Sequence, residues 1–426
     1  MEKFINPDRN DWSRLLARPS INNSELIVKV STVLQQVKGQ GDAAVQYFTQ
    51  QFDGVLLTDF VVSEIEIAEG VALVSTQLKT AIATAADNIR KFHQPQLQAP
   101  EIIETMPGIQ CWRRSVGIEK VGLYIPGGTA PLFSTILMLG IPATIAGCKE
   151  IILCSPPDKN GQLHPAILFA AQLVGITKIF KIGGVQAIGA MAYGTASVPQ
   201  VYKIFGPGNQ YVTCAKQFIQ QEGIAIDMPA GPSEVCVLAD DSANPEFVAA
   251  DLLSQAEHGS DSQVLLVSTS ATLVAAVNIA LEKQLAQLPR KEMAAKALEN
   301  SKAIVLNNMD DAIKLVNEYA AEHLIISCEK EEAIGDRIVQ AGSVFLGNYS
   351  PESVGDYASG TNHTLPTNGY AKAYSGVSVD SFLKKITYQK LTKVGLQNIA
   401  SSVELMAMAE GLQAHAEAVR IRLKNE

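Results

Sequence analysis

Apolar residues recur along this chain with two spacings, one helical and one extended, and their alternation predicts a fold before any chemistry is considered. Leu26, Ile27, Val30, Val33, Leu34 and Val37 share one face of a helix that the spacing extends over 25–52, where Asp53-Gly54 marks a turn. A second helical window covers 69–93, and a proline-rich segment at Pro95, Pro100 and Pro107 leads to a β-type stretch at 111–117. From there, short β-type runs at 121–125, 150–154, 176–182 and 201–205 alternate with helical windows at 132–140, 164–173, 185–192 and 211–220. The alternation resumes after 227–234, with strands at 235–239, 263–268, 303–306, 324–327 and 343–346 between helices at 245–258, 271–287, 290–299, 310–320 and 330–340. Such alternation implies βαβ units and parallel sheets covered by helices. The expected fold is α/β, two Rossmann-like parallel-sheet modules with an N-terminal helical arm and a helical C-terminal tail. Its expected parts are an arm at 1–23, a discontinuous α/β domain at 24–123 and 233–376, an inserted α/β domain at 124–232, and a tail at 377–426 in which 384–386 and 396–422 read as helical.

Composition narrows the function. The 426 residues are 47% apolar and 18% charged, enough for two cored domains, and a net charge of −9 without a dense Lys/Arg run excludes nucleic acid or an anionic membrane as the main partner. Between Lys120 and Lys149 no residue is charged, but Pro126, Gly127, Gly128, Pro131, Gly140 and Pro142 forbid a membrane-spanning helix there. The N-terminus carries charges where an export signal needs an apolar run, and the six cysteines form no Cys-x-x-Cys pair. Reduced thiols and a cytoplasmic location are expected.

Candidate chemistry gathers in a few punctuated segments. Asn244 and Pro245 open a helix whose last turn holds Gln255 and His258, an amide oxygen and an imidazole on one face that suit a divalent ion. Glu322-His323 stands at the start of a strand, where both groups accept protons near neutrality. The 350–363 segment lacks apolar periodicity and carries Asp356, a hard-oxygen ligand, and His363. Glu410 and His415 lie among apolar residues of the tail, which is expected to pack on something else. Glycine turns at Gly127-Gly128, Gly183-Gly184 and Gly206–Asn209 follow strands, where backbone can approach a ligand, although no Gly-x-Gly-x-x-Gly fingerprint is present.

The segments 122–135, 204–209, 227–235, 253–259, 322–326 and 355–363, in unbroken order, closely resemble the histidinol dehydrogenase family. That resemblance implies oxidation of L-histidinol through L-histidinaldehyde to L-histidine, with two NAD and one Zn2+ per subunit. It implies zinc ligands Gln255, His258, Asp356 and His415, and proton acceptors Glu322 and His323. Ser233, His363 and Glu410 would join these ligands and His323 around the substrate, and Tyr124, Gln186 and Asn209 would contact NAD. It further implies a homodimer in which the C-terminal tail completes the partner's site. The alternatives are a dehydrogenase of this fold acting on another amino alcohol or a sulfonated alcohol, and a zinc hydrolase using Glu322 as base without nicotinamide.

Overall fold

The computed structural model describes residues 1–18, 23–127, 131–229 and 231–424. Six strands form the first sheet, in the order Glu2–Ile5, Lys302–Val305, Gln263–Ser268, Glu234–Ala239, His323–Ser327, Ser343–Leu346, with every neighbouring pair parallel. Five form the second, in the order Lys178–Lys181, Glu150–Ser155, Lys120–Tyr124, Lys203–Phe205, Ala225–Ile226, again all parallel. In each sheet the chain works outward from a central strand and then returns on its other side. The direction reverses between Glu234–Ala239 and His323–Ser327 in the first sheet, and between Lys120–Tyr124 and Lys203–Phe205 in the second. These are the two Rossmann-like modules that the pattern predicts.

Burial explains the patterns. Glu234–Ala239 and Gln263–Ser268 are buried at every position because helices cover both faces, so they read as continuous rather than alternating apolar runs. Helices Pro245–Ala256, Ala271–Leu285 and Lys291–Glu299 pack on one face of the first sheet, and Met309–Tyr319 with Trp12, Leu15 and Leu16 packs on the other. Among the described residues no helix is long and apolar enough to cross a membrane.

Several expectations need correction. The 25–52 helix is two, Asn23–Gln40 and Asp42–Asp53, because Gly41 sits at φ 57 and breaks the run. The 69–93 window is also two, Glu64–Leu73 and Thr76–His93, each opened by a serine cap at Ser63 or Ser75. These N-terminal helices cover the second sheet, sharing its apolar clusters, and not the first sheet with which 24–123 was grouped. The arm at 1–23 contributes an edge strand, Glu2–Ile5, whose exposed residues carry no alternation to find. Helix 245–258 stops at Ala256, placing His258 beyond the helix end, and helix 330–340 shrinks to Glu331–Gly335.

The tail differs most. Residues 384–386 belong to a strand, Leu383–Leu391, paired antiparallel with Ile109–Gly117, which in turn pairs with Ile102–Met106. Trp112 and Tyr388 are directly opposed there and their rings stack 5.4 Å apart, a cross-strand pair that outweighs the helical spacing of the lysines. Helix resumes only at Lys393–Ala409 and Gln413–Lys424. Gly128, part of the first glycine turn, and Pro19 lie outside the described residues.

Candidate active site

The amino ends of strands Glu234–Ala239 and His323–Ser327 lie side by side, at the point where the order of the first sheet reverses. Helix Met309–Tyr319 ends at Ala320, held in the left-handed region at φ 55, and this sharp turn delivers Glu322 and His323 to the interior. They are 6% and 3% exposed. One Glu322 carboxylate oxygen accepts the Glu234 N–H at 2.9 Å, and His323 Nδ1 faces the Glu234 carbonyl at 3.3 Å. Nδ1 is thus committed to the backbone, and Nε2 faces the site, 3.3 Å from Asp356 Oδ1.

Asp356 comes from a short helix, Glu352–Tyr357, inside the segment expected to be a loop. Its buried positions are Glu352 and Gly355, so the helix has no apolar face to betray it in the sequence. Glu352 and Asp356, four apart, point the same way. Glu352 accepts from Ser254 Oγ at 3.0 Å, and its two oxygens lie 3.1 and 3.3 Å from one end of the Gln255 amide, which must be the nitrogen for that amide to hydrogen-bond a carboxylate. His363 donates from Nδ1 to the Asp356 carbonyl at 2.8 Å, and its Nε2 shares a hydrogen bond with Thr135 Oγ1 at 3.1 Å. Since Thr135 lies on a helix of the second sheet, Ser134–Ala146, His363 ties the two modules together beside the site. His258 keeps a solvent-exposed edge, although the protein around it depresses its pKa against the pull of Asp356.

The electrostatics are those of three carboxylates around one imidazole. Burial raises Glu322 above the ordinary carboxylate range, and raises Glu352 to about 7. Burial disfavours the charged form of His323, but Glu322, Asp356 and Glu352 outweigh it and raise its pKa. Burial likewise opposes the charge on Asp356, yet His323 holds its pKa below the usual range. His323 Nε2 and Asp356 Oδ1, although close, find no well-aligned hydrogen-bond partner among the described residues.

The remaining candidates divide into those near this centre and those elsewhere. Ser233 immediately precedes the strand Glu234–Ala239 and is half-buried. Glu410 and His415 are exposed on the C-terminal hairpin, which packs chiefly on itself and on Leu383–Leu391, so one chain does not bring them to Glu322-His323. Tyr124, Gln186 and Asn209 stand at the carboxyl ends of the second sheet. The Tyr124 hydroxyl accepts the Gly184 N–H at 3.1 Å, and burial pushes its pKa up to about 12. Gln186 is fully buried, with its amide N 3.4 Å from Asp53 Oδ2 and its oxygen unpartnered among the described residues. Asn209 caps helix Gln210–Gln221 through its side-chain oxygen, 3.0 Å from the Tyr211 N. A recess of about 550 Å³ beside Asn209 reaches Arg18, Gly231, Asp261 and Asn368 across the gap between modules.

The histidinol dehydrogenase sequence pattern matches residues 16–423. The chain is 60% identical over 424 residues to histidinol dehydrogenase of Bacteroides thetaiotaomicron, covering 99% of both chains. It is 52% identical over 412 residues to that of Yersinia pestis, covering 96% of this chain and 92% of the relative. The crystal structure of histidinol dehydrogenase from Elizabethkingia anophelis superposes with a TM-score of 0.98 at 57% identity, covering 100% of this chain and 98% of that one. The chain belongs to the histidinol dehydrogenase family. It is an oxidoreductase of histidine biosynthesis, and the hydrolase alternative falls with that finding.

The resemblance implies a zinc ion, and the donors present in this chain decide whether one fits. Among the described residues no group of three or more His, Cys, Asp or Glu side chains forms a metal site. One chain nonetheless offers His258, Asp356 and Gln255, a mixed nitrogen and oxygen set of the kind zinc accepts. The unpartnered Asp356 Oδ1 and the crowding of buried carboxylates are both relieved by a divalent cation, so the residues fit one. Sequence reading missed Glu352, Glu234, Arg18 and Asp53. Glu352 and Glu234 lie inside segments already singled out, but only their burial, 1% and 2% exposed, marks them.

Proposed function

We propose that the chain catalyses the zinc-dependent, NAD-linked four-electron oxidation of L-histidinol through L-histidinaldehyde to L-histidine, the last two steps of histidine biosynthesis. The observation that carries this reading is two proton acceptors at one buried point: His323 with Nε2 facing the site, and Glu322 with its carboxylate gripped by the Glu234 N–H. Gln255, His258 and Asp356 would hold the metal together with His415 from a second copy, and Ser233, His363 and that copy's Glu410 would line the substrate. When bound, zinc would fix the substrate's imidazole and amino nitrogens, and NAD would accept a hydride in each of two turns.

The chain's own groups supply the proton transfers. With a cation on Asp356 offsetting the carboxylates that raise its pKa, His323 Nε2 would be free to receive the hydroxyl proton in the alcohol step. Glu322 removes a proton from the water that adds to the aldehyde, giving the hydrate whose oxidation leaves a carboxylate. Each half-reaction has its own base, and burial keeps bulk water from both. Tyr124, Gln186 and Asn209 contact the dinucleotide at the carboxyl ends of the second sheet, near its reversal of strand order, the usual ligand position in such sheets.

The shared site is supported by the C-terminal hairpin. Leu405, Met406, Met408 and Leu412 are exposed on it, an apolar patch that suits a second copy of the chain. The deciding experiment measures NADH formed per limiting L-histidinol, before and after chelation and zinc restoration. A zinc-dependent yield of about two is expected from two hydride transfers. A yield near one would mean that oxidation stops at the aldehyde or that the substrate is another alcohol.

A further inference from the structure

We propose that Glu352 is a positioning residue that turns the side-chain carbonyl oxygen of Gln255 toward the bound metal; this rests on the zinc reading above. A carboxamide presents an acceptor at one end and donors at the other, and only the oxygen serves as a metal ligand. Nothing in the shape of the amide selects between its two orientations. Glu352, when ionised, makes the selection because a carboxylate only accepts: its two oxygens lie 3.1 and 3.3 Å from one end of the Gln255 amide, so that end must be the nitrogen, and the amide oxygen turns to the opposite side.

The carboxylate is itself held. Ser254 Oγ, on the residue preceding Gln255, donates to Glu352 Oε1 at 3.0 Å, so two neighbours on helix Pro245–Ala256 grip one carboxyl group. Glu352 is 1% exposed, which shields this arrangement from competing water. Its charge also reaches His323, but Nδ1 is 4.0 Å away, beyond hydrogen-bond reach, so the groups it can bind directly are Ser254 and Gln255. The same short helix carries Asp356 one turn later, so the residue that orients one ligand and the residue that supplies another move as one rigid unit.

The test uses the full-length assembled protein, stripped of metal and titrated with Zn2+ against a chromophoric chelator, then with Co2+ to record the ligand-field spectrum. Glu352→Ala and Gln255→Ala should each weaken zinc binding by about 10–100-fold. The double variant should bind within about threefold of Gln255→Ala, because Glu352 acts through Gln255. Glu352→Gln can still accept from Gln255 with its oxygen while donating to Ser254 Oγ; it should keep zinc binding within about threefold of the parent and restore the Co2+ spectrum that alanine alters. That variant also keeps the idea testable where alanine fails to fold. An unaltered Glu352→Ala, effects that multiply in the double variant, or a Glu352→Gln as weak as the alanine would overturn the proposal. A parent protein that binds no zinc, or a Gln255→Ala of unchanged affinity, would remove the ligand assignment itself and with it the inference.

Discussion

Arg18 is the replacement whose cost the structure defines most sharply. Its guanidinium donates to both Glu234 carboxylate oxygens, at 2.6 and 3.0 Å, and to the Tyr319 carbonyl at 2.7 Å, while lying 4.1 Å from the Tyr319 ring centre. The Glu234 side chain is 2% exposed, and without Arg18 its carboxylate would keep the Tyr319 hydroxyl, 3.2 Å away, but no cation. Breaking a buried pair from one side costs about 3–5 kcal/mol, so Arg18→Met should lose that much. Arg18→Met with Glu234→Gln removes both charges and should cost about 2 kcal/mol less than the two single changes summed. Of the two tryptophans, Trp12 is 3% exposed in the arm against the first sheet, so urea unfolding in a Trp112→Phe background reports on this region alone. Because the Glu234 N–H holds Glu322 and its carbonyl faces His323, Arg18→Met should also lower kcat more than it changes KM. A loss below about 0.5 kcal/mol, the range of an ordinary surface change, or additive single effects would refute the reasoning.

Three further outcomes are expected. Mixing inactive His415→Ala and Glu322→Gln variants, with subunit exchange verified, should restore roughly a quarter of parent activity, since half the dimers are mixed and each carries one intact site; no recovery would refute a shared site. Burial raises the Asp53 pKa from 3.8 to about 6, so between those values the folded state binds more protons than the unfolded one and this residue's contribution to stability falls as pH rises. Asp53→Asn should therefore flatten that part of the pH–stability curve and stabilise the protein at pH 7 by on the order of 1 kcal/mol, screening at this half-exposed carboxyl included; chemical denaturation at pH 4, 5.5 and 7 checks it. No single Cys→Ser change should abolish turnover, because all six cysteines are free and burial pushes the Cys148 and Cys328 thiols up to about 11 and 12, away from the thiolate a nucleophile needs; steady-state assays of the six variants decide it.

The central βαβ elements were legible because strands buried on both faces and helices with one apolar stripe leave distinct spacings, as at Val235–Val237 and Val248–Leu253. What escaped was structure stabilised by other means. Glu2–Ile5 and Leu383–Leu391 are held by pairing with distant strands and expose most of their side chains, so their local pattern carries little signal. The short helix Glu352–Tyr357 turns a glutamate inward, a choice that only its buried partners explain. At the candidate site, Glu322, His323 and Asp356 announced themselves by residue type and setting. Glu234 and Arg18 did not, because their pairing spans 216 positions and one of them acts on the site through backbone atoms.

The two sheets turn opposite ends toward the gap between modules, and this sorts charge before any side chain is considered. Helices Pro245–Ala256 and Met309–Tyr319 run toward the amino ends of the first sheet, so their carbonyl-rich, partially negative termini arrive at Gln255 and just ahead of Glu322. Helices Gly184–Tyr193 and Gln210–Gln221 start from the carboxyl ends of the second sheet, presenting partially positive N–H termini beside Tyr124 and Asn209. Backbone dipoles thus favour a cation on one wall and an anion on the other. The divalent ion and dinucleotide pyrophosphate proposed above would be drawn to separate sides of the gap between modules by a field built into the order of the strands, which no substitution of a single side chain can reverse.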